Sequence, residues 1–553
     1  MFVKVTKSGK YEYVQIVRSF KVDGVTKHEV LLNLGRKDEI ENNPMFQRLA
    51  QRLSELSGLQ SMQKDLQSIS EAVIRNWGYT VYRCLWDSLA LHECLDSICK
   101  RHSRIRFDLA KTGFLMALQH LLEPMSKLGT FEHQERYARL PQLELQHLYR
   151  SLDILSENKD VIEEHIFYQN YNLLNITIDV VFYDVTTFAF ESVRADGLRD
   201  FGYSKDNKYN EVQVVMGLLI DTEGCPIGYE LFNGSTFDGK TMTGALENLK
   251  KRFGIRRVVI VADRELNSKI NLKNIRDAGH GYIVASRIRK LSKKLQEEIL
   301  DASAYAETTG PVVRKGEPEK LRYRIFEQIN QVKNEDGQIV ELEESLIVTY
   351  SERRAQKDRA DRERLIEKAR TLAVSPAKIN ASFKRGGRKY LKRETNDSEQ
   401  VTWTVDEETI QRDSRFDGYY GIQTSEQNLK PEEVLSAYHT LWKIEESFRI
   451  MKSTLEVRPI FHWTEKRIKG HFVICFLAFL LERKLEQKLS KAGVQNASPD
   501  KIREAIKRME FAELDFRGRS YYIKIKGTDL GNKILKVLRI QPPKTMLPVN
   551  EFS

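Results

Sequence analysis

The chain has 553 residues, more than one compact core accommodates, so several domains are expected. With 41% apolar residues, 9% aromatic residues and only 13 prolines, the composition excludes a disordered, collagen-like or coiled-coil protein. Against 78 acids stand 89 Lys and Arg, and the resulting charge of +11 favours a polyanionic partner over an acidic one.

Residues 2 to 34 alternate like strands, with turn signals at Ser8-Gly9 and Asp23-Gly24, which predicts a small antiparallel β unit. Asn43-Pro44 then marks a helix start. From about 61 to 170 the period is helical and includes Asp108 to Leu122, which stops against Pro124. After 171 the texture changes to apolar strands: NITIDVVFYDVTTFAF, then EVQVVMGLLID and PIGYELF around an Asp221 to Gly224 turn. A helix near Thr241 to Phe253 and the buried strand RRVVIVAD complete an α/β unit of mixed order. Residues 291 to 415 alternate short strands with charged stretches. Helical period returns in two helices, roughly 431 to 453 and 465 to 490, and a basic tail follows, with a helix at Ser498-Pro499 and the strand SYYIKIKG. No repeat of 20 to 50 residues is present.

Five cysteines without paired C-x-x-C spacing argue against a disulfide framework and a structural zinc site, so a reducing compartment is expected. The start, MFVKVTKSGKYEYVQ, lacks the apolar core of a signal peptide. The run from Phe472 to Leu481 is ten residues where a membrane span needs about 20, and it reads as a core helix packed under the sheet. A cytoplasmic protein with no membrane partner is expected. The histidines, His439, His462 and His471 among them, show no metal-ligand spacing and receive no role.

Three carboxylates stand out chemically. Asp184 interrupts the apolar segment VVFYDVTTF, where a charge needs a partner or a metal. Asp263 ends RRVVIVAD, at the carboxyl end of a strand where open α/β sheets place their sites. Each aspartate taken alone also fits a capping or turn role. On the helix AYHTLWKIEESFRIMK, Tyr438, Glu445 and Lys452 are seven apart and share a stripe with Leu441 and Phe448, so Glu445 interrupts an apolar face. Glu446, beside Trp442 and Arg449, reads as a surface ion-pair partner. Two aspartates and a glutamate are hard oxygen donors suited to Mg²⁺ or Mn²⁺, and two such ions about 4 Å apart serve in-line phosphoryl transfer on DNA.

These blocks, with LRDFGYSKD, PIGYELFNGSTFDGKT, VIVADRELNS and YHTLWKIEESFRIMKSTLEVRPIFHW, resemble bacterial insertion-sequence transposases of the DDE type, most nearly the group named after insertion sequence four. The resemblance covers roughly 170 to 290 and 415 to 485. It implies an RNase H-like mixed-sheet core with Asp184, Asp263 and Glu445 as catalytic metal ligands for two Mg²⁺ or Mn²⁺ ions. In the implied division, residues 1–60 are an N-terminal β-hairpin unit and helix, and 61–170 a helical DNA-binding region. The catalytic core spans 171–290 and 416–490, interrupted by a β-rich insertion at 291–415, and 491–553 is a basic C-terminal region. The group's third block reads Tyr-x2-Arg-x3-Glu-x6-Lys. Tyr438, Glu445 and Lys452 match it, Tyr438 and Lys452 as contacts to the transposon end, whereas Leu441 replaces the arginine, which removes a bidentate phosphate contact.

The implied protein is a bacterial, nucleoid-associated enzyme that binds terminal inverted repeats and target DNA as a homodimer, with the region after Ser498 as a candidate protein contact. Lys384, Arg385, Arg388 and Lys389, in an acid-free run interrupted by Gly386-Gly387, are candidate backbone contacts, and Lys240 is another. Two alternatives stay open: a non-catalytic DNA-binding derivative of such an enzyme, and a P-loop ATPase. The second rests on Gly234 to Thr241, which fits G-x4-G-K-[ST]. An antiparallel preceding strand and Phe237-Asp238 count against it.

Overall fold

The computed structural model describes residues 2–22, 25–42, 44, 48, 72–101, 105–170, 180–190, 194–202, 211–236, 244, 248, 252–253, 259–262, 264, 267–309, 320–333, 338–373, 386–395, 401–439, 441–455, 460, 462–495, 497–516 and 519–552. Alternation at the start of the chain gives β1 (Phe2–Ser8), β2 (Tyr11–Val22) and β3 (Val25–Arg36), a three-stranded antiparallel sheet. Gly9 adopts φ of +63°, the left-handed conformation that a tight turn between β1 and β2 requires. The short helix Lys37–Asn42 comes next, with Asp38 and Glu39 in its first turn where exposed amides favour acids; Pro44 and Arg48 beyond it are also helical, while Asn43 lies outside the described residues.

One stretch of helical period contains a strand. Val73–Asn76 (β4) joins β16 (Glu510–Phe516), β17 (Arg519–Lys524) and β18 (Met546–Pro548) in the order β18-β17-β16-β4. Its partner lies near the far end of the chain, so local periodicity does not reveal it. The Asn76 amide donates to the Ile506 and Lys507 carbonyls at 2.9 and 3.1 Å, and Arg18 bridges Glu29 and Glu510 at 3.0 and 3.1 Å. The region after Ser498 is thus folded onto this chain's own N-terminal part.

The central sheet has nine strands among the described residues: β5 (Val180–Ala189), β6 (Gln213–Ile220), β7 (Pro226–Asn233), β8 (Val259–Ala262), β9 (Gly281–Ser286), β10 (Ala306–Thr309), β11 (Lys320–Lys333), β12 (Ile339–Tyr350) and β15 (Tyr419–Thr424). Their order is β10-β11-β12-β15-β9-β8-β5-β6-β7. The pairs β5–β8 and β8–β9 are parallel and the others antiparallel, so the sheet is mixed. The stretch 291–415 is only partly β. Its hairpin β11–β12 extends the central sheet through β15, β13 (Leu391–Thr395) pairs with β14 (Val401–Val405), and between them runs the 22-residue helix Glu352–Ala373. That helix buries only Ala355 and Ala369, so it carries no apolar stripe to announce it.

The helix Glu465–Lys491 is the central beam of the helical layer. Residues Phe472 to Leu481 are all buried, with Phe472 against Phe188 of β5 (ring centroids 5.3 Å apart) and Phe476 against Tyr229 of β7 (5.2 Å). No helix among the described residues is long and apolar enough to cross a membrane. Gly470 lets this helix cross the Leu145–Glu157 helix closely, because a Cβ there would fall onto the Leu152 carbonyl. Gly470→Ala is therefore expected to destabilise the fold by about 1–3 kcal/mol, read as a lowered urea midpoint at unchanged m-value.

Deeper in the same helix, Glu482 is 2% exposed and accepts from the Tyr82 hydroxyl at 2.7 Å. Burial, then the Glu486 charge, pushes its carboxyl from 4.5 up to about 8. The folded chain then holds a proton that the unfolded chain has released, so stability falls as pH rises between 4.5 and about 8. The slope is up to about 1.4 kcal/mol per pH unit. Glu482→Gln is expected to flatten this loss when unfolding free energies at about pH 5.5 and about 7.5 are compared.

Candidate active site

Strand β5 separates two apolar layers by simple alternation. Phe182 and Phe188 pack in the layer that holds Ile444, Phe448 and Phe472, whereas Val181, Tyr183 and Val185 pack in the layer of Phe167, Phe253 and Ile260. Asp184 therefore shares the face of Phe182 and Phe188, toward the helices. It is half-buried, and its Oδ1 accepts the Val185 amide at 2.7 Å. Asp263 lies outside the described residues; it follows Ala262, the last residue of β8, directly in sequence.

The third carboxylate comes from a helix that is shorter than its periodicity suggests. Where one helix was expected over 431 to 453, the structure has Pro431–His439, then Trp442–Arg449, then a π-helical turn at Ile450–Thr454. Wide π-turns of this kind are frequent at functional sites. Leu441, Ile444 and Phe448 are buried, whereas Glu445 is exposed, so it flanks the apolar face rather than interrupting it. Two turns on, the half-buried Lys452 holds its Nζ 5.8 Å from the Phe188 ring centroid, on the face of β5 that carries Asp184. The Tyr438 hydroxyl is 2.7 Å from that of Tyr420 on β15.

The opposite flank of this helix is committed to anchoring. Lys443 donates to the Thr222 carbonyl at 2.6 Å, on the hairpin turn closed by Gly224 at φ +82°. Arg483, 7% exposed, donates to Ser447 Oγ at 3.1 Å, to Glu446 at 3.4 Å and to Glu486 at 2.7 Å. Glu446 also pairs with Arg449 at 3.2 Å, so it is an ion-pair partner as expected, though one tied to a buried arginine. Among the described residues no ion pair engages Glu445. Leu441, in the arginine position, is 7% exposed; Lys443 is spent on the Thr222 carbonyl and Arg449 forms a surface pair with Glu446.

The basic candidates are more constrained than their sequence suggests. Lys384, Arg385 and Lys240 lie outside the described residues. Lys389 is paired with Asp413, itself 6% exposed, and Arg388 sits with its guanidinium carbon 5.7 Å from the Trp403 ring centroid. Gly387 does permit a close approach, but to the Glu352–Ala373 helix, where a Cβ would meet Lys368 at 2.9 Å. At the P-loop-like stretch, β7 precedes Gly234 and pairs antiparallel with β6, unlike the parallel strand such a loop leaves; Phe237 to Thr241 lie outside the described residues.

A second cluster escaped the sequence reading. His120, from the helix Leu109–Leu122, meets His471 and Cys475, all three buried, with one donor atom of each within 4.8 Å of the others. The only local signal was the i, i+4 spacing of His471 and Cys475.

Comparison with known proteins gives two matches. Residues 3–64 match the "IS1634 family transposase, N-terminal domain" model, and residues 176–357 match the "Transposase DDE domain" model. The second match spans Asp184 and Asp263 and ends before Glu445. It implies an RNase H-like fold, with which the large mixed sheet agrees. No curated protein matches significantly. Among solved structures, a cryo-EM piggyBac transposase synaptic complex with hairpin DNA is 10% identical, with 78% of this chain and 80% of that chain covered at a TM-score of 0.36.

Proposed function

We propose that the chain is an insertion-sequence DDE transposase that binds the terminal inverted repeats of its element, cuts both ends and joins them to target DNA. The observation that carries the reading is the common face of Asp184 and the Glu445 helix, on a strand whose parallel neighbour ends one residue before Asp263. The register pairs Phe182 with Val261, and Asp184 and Asp263 each follow those two residues by two in sequence. Neighbouring strands lie about 4.8 Å apart, and partner positions in a parallel pair point to one face. The proposal thus sets two aspartates side by side beneath the glutamate helix.

Those residues suit divalent cations. Asp184 and Glu445 offer carboxylate oxygens at a water-accessible rim, half-buried and exposed respectively, which is the hard donor chemistry of Mg²⁺ or Mn²⁺. Asp184, Asp263 and Glu445 would hold the ions, which when bound make a water or a 3′-hydroxyl nucleophilic and neutralise the leaving oxygen. The chain's own residues do the rest. The Val185 amide orients Asp184, Lys452 offers a cation on the same face for a phosphate, and the Tyr420 hydroxyl positions Tyr438. With Leu441 buried, position 441 supplies no guanidinium fork to a cleaved end.

DNA-backbone contact is assigned to the basic run that holds Lys384, Arg385, Arg388 and Lys389, of which Lys389 also pairs with Asp413. Two ends require two such sites, so the working species is a homodimer on DNA. The region after Ser498 is occupied in an intrachain sheet, and the dimer contact is not assigned to it. The test is incubation of the full chain with DNA bearing the element's own ends, in chelator and then in Mg²⁺ or Mn²⁺. Metal-dependent nicking at the ends followed by joining is expected. Specific binding without cleavage in either metal would leave only a DNA-binding derivative.

A further inference from the structure

We propose that His120, His471 and Cys475 form a structural zinc site that ties the helix Leu109–Leu122 to the central helix Glu465–Lys491. It is separate from the carboxylate rim and does not rest on the functional reading above. The first support is the donor set: two imidazoles and a thiol, a mixture that selects zinc over magnesium. The second is spacing. His471 Nε2 and Cys475 Sγ are 3.5 Å apart, and a tetrahedral ion with bonds of about 2.05 and about 2.3 Å separates its nitrogen and sulfur ligands by about 3.6 Å.

The third support is independent of the cluster count. His120 is 2% exposed, and its Nδ1–H donates to the Leu455 carbonyl at 3.2 Å, which fixes the tautomer and leaves a lone pair on Nε2. That Nε2 is buried and has no hydrogen-bond partner among the described residues. An imidazole held at one nitrogen by a backbone carbonyl, with the other left to a ligand, is the arrangement zinc-bound histidines show. The fourth position falls to a water or to His462, whose ring centroid lies 5.4 Å from that of His471.

Zinc entry breaks the S–H bond of Cys475, forms S–Zn and releases one proton to solvent. Leu455 directly follows the π-turn that carries Lys452, so the site would brace the far end of the glutamate helix.

The test titrates the metal-stripped full chain with Co²⁺ alone, in excess Mg²⁺. One equivalent should give a thiolate-to-cobalt charge-transfer band, release one proton and be displaced by Zn²⁺. Cys475→Ala, which keeps a small apolar residue in the core, should abolish the band, and His120→Ala should weaken Co²⁺ binding about 100-fold or more. A wild-type chain without the band, or a folded Cys475→Ala chain that retains it, overturns the site. Should Cys475→Ala fail to fold, zinc content of the wild-type chain by mass spectrometry decides: one ion per chain supports the site and none refutes it.

Discussion

Asp184→Asn and Glu445→Gln are each expected to slow end cleavage by about 10³-fold or more, the loss of about 4 kcal/mol of transition-state stabilisation. Specific binding of the ends should stay nearly unchanged. Asp184 sits on the face of β5 that looks onto the glutamate helix, and Glu445 is exposed on that helix with no ion pair among the described residues. Asn and Gln keep the size and hydrogen-bonding oxygen of each side chain, so these substitutions chiefly remove the charge that metal ligation needs. Glu446→Gln is the control: its carboxylate is spent on Arg449 and Arg483, so stability should fall while single-turnover cleavage stays within about tenfold. The reverse ranking, with Glu446 essential and Glu445 dispensable, would mean that the other flank of the helix faces the DNA.

Arg252→Ala should cost about 3–5 kcal/mol of stability, the largest such effect expected from one substitution here. Arg252 is 8% exposed and pairs with Glu163, Glu230 and Asp160, while Lys159 reaches Glu163 at 3.1 Å and Glu230 at 3.2 Å. Glu163 is itself 1% exposed, so truncating the guanidinium leaves a buried carboxylate with only Lys159 and the Tyr229 amide. Burial already pushes the Glu230 carboxyl up, which shows how poorly solvated this pocket is for negative charge. The network joins the helix Lys159–Asn170 to β7, and so braces the edge of the central sheet. Chemical denaturation measures the loss. The double variant Glu163→Gln with Arg252→Met should recover most of it, because it removes the charges together.

Much of this architecture is legible where local pattern and tertiary role coincide. The strand β6, QVVMGLLI, is buried along its whole length, and its sequence reads as a central strand. The helix Leu109–Leu122 is bounded by Asp108, whose Oδ1 accepts the Lys111 amide at 2.8 Å, and by the nearby Pro124. What stays hidden is hidden for physical reasons. Val73–Asn76 becomes a strand only because Glu510–Phe516 offers it an edge, and the Glu352–Ala373 helix is too charged to show a stripe.

The site divides in the same way. Asp184 is recognisable because a carboxylate in an apolar strand demands a purpose, and Glu445 because of its spacing to Tyr438 and Lys452. That Glu445 flanks the apolar face, and that Glu446 is locked by Arg483, depends on the break before Trp442 and on a distant helix. The His120 cluster depends on a crossing of two helices far apart in sequence, which no spacing rule anticipates.

The central claim is that Asp184, Asp263 and Glu445 surround one metal centre. Its most direct measurement replaces Mg²⁺ with Fe²⁺ in the end-bound complex and adds ascorbate and peroxide, so that hydroxyl radicals cut the backbone beside the ion. Cuts clustered at residues 184, 263 and 445, suppressed by excess Mg²⁺ and lost in Asp184→Asn, are the predicted result. Cuts that spare any of the three segments, or that persist in Asp184→Asn, would contradict it.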